Sequence, residues 1–72
     1  MKNFYERTKA ERDTIRNFYK FEADMLATDP ADVHYMERMS EPNPYYATIM
    51  QWDDGKEIIE ALEFAVEMAY NK

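Results

Sequence analysis

One histidine, one serine and no cysteine are the whole stock of ordinary nucleophiles and soft ligands in this chain. His34 and Glu37 stand three apart, a spacing that puts both on one helix face. A transition-metal site needs three or four ligands, and no second histidine or cysteine is available to complete one. Asp53-Asp54-Gly55-Lys56-Glu57 resembles the start of a calcium loop, but it lacks the alternating ligands and the distal bidentate glutamate. It reads better as a helix cap. Nucleophilic catalysis would rest on Ser40 or a threonine with His34 as base, and no third group is placed to orient that base. Glu60, Glu63 and Glu67 are closely spaced carboxylates, yet on a solvated ridge nothing separates their proton affinities into acid and base. There is no glycine loop for a phosphate. The residues therefore predict no enzyme, no metal and no cofactor.

Recognition is the chemistry that remains, and it depends on the elements that carry the charges and aromatics. With 72 residues, 46% hydrophobic and 33% charged, the chain should form a single helical domain over residues 1–72. No apolar run reaches a membrane span, and Met1-Lys2-Asn3-Phe4 does not open a signal peptide, so a cytoplasmic protein is expected.

The fold class predicted is all-α, a small bundle of three to four helices over about 3–28, 30–40, 44–53 and 55–70, with the last one central. Asn3 and Glu6 have capping-box spacing at the first start. Phe4, Ile15, Phe18, Tyr19, Phe21, Met25 and Leu26 then fall within one arc of a helical wheel. Arg7, Glu11 and Thr14 intrude on that arc, so the front half of this helix is expected to project beyond the core or meet a partner. Asp29-Pro30 and Asn43-Pro44 each pair a cap with a proline suited to a first helical turn. Val33, Met36 and Met39 give the second helix a narrow apolar stripe. Residues 45–52 mix strand-like composition with helical periodicity; Tyr45, Tyr46, Ile49, Met50 and Trp52 share a side only as a helix, and no partner strand exists. Asp54 and Glu57 have capping-box spacing at the start of the final helix. That helix is apolar over most of its circumference, which predicts packing on more than one side.

Charge is unevenly placed. Residues 1–28 carry six basic and five acidic side chains, a balance of +1; residues 29–72 carry three basic and ten acidic, a balance of -7, for a total of -6. Lys9, Arg12, Arg16 and Lys20 line one face of the first helix as a candidate basic contact ridge. Pairs such as Arg7 with Glu11, Lys9 with Asp13 and Lys20 with Asp24 would tie such faces together locally. Glu60, Glu63 and Glu67 form the acidic counterpart on the last helix. A net negative charge repels phosphates, which disfavours direct nucleic-acid binding and favours a basic protein partner.

Six tyrosines, four phenylalanines, one tryptophan and six methionines accompany only two leucines. Phe18, Phe21, Leu62 and Phe64 suit a core. Tyr5, Tyr35, Tyr45 and Tyr46 suit an interface, where aromatic bodies with polar tips are enriched. The residues expected to bind a partner are Glu60, Glu63 and Glu67 for electrostatics, with Tyr45, Tyr46 and Trp52 as anchors. A thin core with spare aromatic surface also predicts a two-fold homodimer.

In size, charge and aromatic content the chain is similar to the small acidic proteins with which bacterial viruses block host machinery, anti-CRISPR inhibitors and DNA mimics among them. That similarity implies an inhibitor or regulator covering the basic nucleic-acid-binding surface of a partner. Two alternatives stand beside it: an antitoxin-like or transcription-linked regulator whose basic first helix touches nucleic acid, and a homo-oligomeric structural protein.

Overall fold

Thr8 decides where the first long helix begins. Its extended backbone and hydroxyl cap the helix: Glu11 N–H donates to Thr8 Oγ1 at 3.2 Å, and Thr8 N–H donates to Glu11 Oε1 at 3.3 Å. In the computed structural model, which describes residues 3–70, helix α1 therefore runs Lys9–Leu26. Met1, Lys2, Asn71 and Lys72 lie outside the described residues. Asn3 caps only a 3-10 turn, Phe4–Glu6, by accepting from Tyr5 N–H at 3.0 Å. The continuous helix expected over 3–28 is thus broken at Arg7 and Thr8. The reciprocal capping box belongs to Thr8 and Glu11, because a threonine side chain satisfies a first-turn donor that an arginine cannot.

Helix α2 spans Tyr35–Ser40, shorter than the expected 30–40. Asp29 accepts from Ala31 N–H at 2.9 Å and Asp32 from His34 N–H at 2.8 Å. These two side chains take backbone donors two residues on, which turns the chain before a helix can start. Helix α3 spans Tyr46–Met50 and helix α4 Gly55–Tyr70. Residues 45–52 thus resolve as helix and turn, and no strand forms among the described residues.

The core gathers Ile15 and Phe18 of α1, Ile49 of α3, and Ile58 and Ile59 of α4, with Phe4, Tyr45, Trp52 and Leu62 packed around them. Helix α4 makes the most extensive contacts, against α3 and α1, and so is central to the bundle. Asn43 fixes the approach to α3. Its Oδ1 accepts from Tyr45 N–H at 3.0 Å, while its Nδ2 donates to Phe18 O at 3.1 Å and to Glu22 Oε1 at 3.2 Å. One side chain thereby caps a turn and ties it to the middle of α1.

Two packing expectations are corrected. Val33, Met36 and Met39 face outward, Val33 being 91% exposed, because α2 is too short to lie along a second helix and its main contact is with α1. Helix α4 is buried on one face only, through Gly55, Ile58, Ile59 and Val66. Leu62 packs beside them, whereas Phe64, assigned to the core from sequence, is 64% exposed.

Candidate interaction surface

Three stripes run along α4. Helical spacing places Ile58, Ile59, Leu62 and Val66 against the bundle. A second stripe carries Glu60, Glu63 and Glu67, all exposed. The third carries Ala61, Phe64, Ala65 and Met68, also exposed. The three glutamates expected to meet a partner therefore share one solvent-facing edge.

A fourth carboxylate joins them from α1. Glu22, Leu26, Glu63, Val66 and Glu67 line a shallow groove between the two helices. Partial desolvation, then the negative charges of Glu22, Glu67 and Glu60, raise the Glu63 pKa above its ordinary value. Glu22 escaped the sequence reading because it lies on α1, far along the chain. Its position one turn after Phe18, on the flank of the buried arc, was the available signal.

A raised carboxyl pKa means that the fold gains stability when Glu63 is protonated and loses that contribution as pH rises through the folded-state value. Glu63→Gln is accordingly expected to melt above wild type at pH 7. The difference should fade below about pH 4, where both forms are neutral, and shrink with added salt. Thermal denaturation across pH reads both trends.

The three aromatic anchors separate in space. Tyr46 is exposed, whereas Tyr45 and Trp52 are half-buried and packed on the core. The Arg7 guanidinium lies 5.6 Å from the Trp52 ring centroid, so that indole is covered from within the molecule. Tyr5 is exposed and meets Phe4 edge to face at 5.5 Å, while Tyr35 is half-buried.

Arg7 is the residue whose role sequence reasoning missed. It is buried, and its Nη2 lies 2.5 Å from Asp54 Oδ2 while its Nη1 lies 3.5 Å from Glu11 Oε2. The front of α1 thus docks on the start of α4 instead of projecting free. The break at Thr8 makes this possible by turning Arg7 out of helical register.

Along the candidate basic ridge, Lys9, Arg16 and Lys20 are exposed and Arg12 is half-buried. Arg12 Nη1 donates to Arg7 O. Arg16 lies 3.4 Å from Asp13 and 5.2 Å from the Phe4 ring centroid. Two of the four cations are therefore engaged by the fold.

His34 is exposed, with Nδ1 3.4 Å from Glu37 Oε2. No group of three or more His, Asp or Glu side chains is placed to hold a metal ion among the described residues, and none of their helices is long and apolar enough to cross a membrane. No protein family, curated protein or solved structure matches the chain.

Proposed function

We propose that this chain is a small acidic interaction module that inhibits or regulates a partner by covering its basic, nucleic-acid-binding surface, in the manner of anti-CRISPR inhibitors and DNA mimics. The observation that carries this reading is the convergence of Glu63 and Glu67 of α4 with Glu22 of α1 around one open groove, with the charge of Glu60 also acting on Glu63. Partial desolvation and then the neighbouring carboxylates raise the proton affinity of Glu63, and a cationic partner would relieve the charge repulsion on binding. Tyr46 supplies an exposed aromatic beside the core, and the net charge of -6 steers cations toward the molecule from a distance.

The test is affinity capture of a basic protein from host lysate, by wild type and by a Glu60→Gln, Glu63→Gln, Glu67→Gln variant, with and without nuclease. A partner that survives nuclease, is shed by high salt, and binds the variant at least about tenfold more weakly supports the reading. Binding by the variant that keeps the same strength and salt dependence contradicts it. Loss of capture on nuclease treatment would instead assign the contact to Lys9, Arg12, Arg16 and Lys20. A homodimer in solution, with its interface on the α4 surface, would assign that surface to self-assembly.

A further inference from the structure

The outer stripe of α4 is an apolar feature that the fold leaves uncovered on its central helix. Phe64 and Met68, one turn apart, are 64% and 60% exposed, and Ala61 and Ala65 between them leave a shallow seam beside each large side chain. Alternating large and small residues at this spacing is the relief into which the knobs of another helix fit. The glutamate stripe runs alongside it, so one helix presents a hydrophobic seam and a parallel row of negative charge.

We propose that this face of α4 receives an amphipathic helix of the partner protein, with its apolar side on the Ala61-Phe64-Ala65-Met68 seam and flanking lysines or arginines on Glu60, Glu63 and Glu67. The proposal rests on the acidic-module reading above and adds the form of the partner's contact to it. Positions 61, 64, 65 and 68 follow the i, i+3, i+4 and i+7 spacing of a single helix face, the spacing along which two paired helices meet.

Area and charge together select that occupant over a second copy of the chain. At about 200 Å² for each full side chain, Phe64 and Met68 offer roughly 250 Å² of surface, well short of the ~800 Å² per partner of a stable interface. The flanking charge must therefore contribute, and only an oppositely charged helix can use it. Two-fold antiparallel pairing of α4 with its own copy would set both Glu60-Glu63-Glu67 rows along the same edge, with six carboxylates facing one another. Val33 and Met36 are more exposed, but Val33 lies in the turn before α2 and Met36 on a helix of only six residues.

The probe is a synthetic helix of about five turns, leucines on one face and lysines on its flanks, compared with a scrambled peptide of the same composition. Binding is followed by calorimetry and by the methyl resonances of the methionines. The amphipathic peptide should bind at least about tenfold more tightly than the scrambled one and should shift Met68 and not Met36 or Met39. Phe64→Ser, a surface change that should leave the helical circular dichroism intact, should bring its affinity down to the scrambled level. Equal binding of the two peptides overturns the inference while leaving the acidic-module reading standing. Binding of neither removes both. Shifts centred on Met36 and Met39, or a dimer by sedimentation that shields Met68, also overturn it.

Discussion

Asp54→Asn is expected to cost about 2–3 kcal/mol of folding free energy, a large share of the roughly 4–11 kcal/mol available to a domain of this size. The Arg7 side chain is only 2% exposed and that of Asp54 21%, with 2.5 Å between Nη2 and Oδ2. Asparagine keeps the shape and an acceptor oxygen but removes the charge. A guanidinium would then remain in a low-dielectric site beside the more distant Glu11 carboxylate, at 3.5 Å. Removing one member of a buried pair is costly chiefly because of the charge left behind, so the reciprocal change should be milder. Arg7→Met retains an apolar stem over Trp52 and leaves Asp54 nearer to water, and it should cost at least ~1 kcal/mol less. Urea titration followed by Trp52 fluorescence reads both variants. Equal midpoints for wild type and Asp54→Asn would show that this contact does not hold the front of α1 to α4.

Gly55→Ala is expected to destabilise the fold by about 2 kcal/mol, although alanine is the better helix former by about 1 kcal/mol. Gly55 has ordinary negative φ, so backbone freedom is not what the position requires. It requires space. A Cβ there would lie 1.9 Å from Ile49 O, 2.8 Å from Ile49 C and 3.0 Å from Met50 Cα. All three are backbone atoms, which cannot swing aside as a flexible side chain would, so α3 must move off α4. Ile49, fully buried, would then lose its packing on Ile58 and Ile59. A lowered melting temperature together with faster amide exchange in α3 is the predicted result. A rise in melting temperature would mean that helix propensity dominates and that the two helices do not approach this closely.

Local signals were read well from sequence, and tertiary ones were not. Helix α4 spans Gly55–Tyr70, as its periodicity predicts, because a long amphipathic stripe has few rivals. The helical reading of residues 45–52 held because helical spacing alone put Ile49 on the buried side. The start of α1 misled because Asn3-Glu6 and Thr8-Glu11 have the same spacing. The choice between them is made by Arg7, whose partner Asp54 stands 47 residues away. Apolar stripes do not by themselves mark core. Phe64, Met68, Val33 and Met36 show that periodicity identifies a face without saying whether the chain itself supplies something to cover it. Of the candidate interface, the glutamate row was legible because it lies on one helix, whereas Glu22 joins it only through the packing of α1 on α4.

A charged docking surface on α4 predicts a basic partner whose affinity depends on the glutamate row. The most direct measurement is the affinity of a nuclease-treated, purified capture partner for wild type and for the Glu60→Gln, Glu63→Gln, Glu67→Gln variant across a salt series. The account predicts at least about tenfold weaker binding by the variant at low salt, with the two curves converging as salt screens the carboxylates. Curves that coincide at every salt concentration would contradict it.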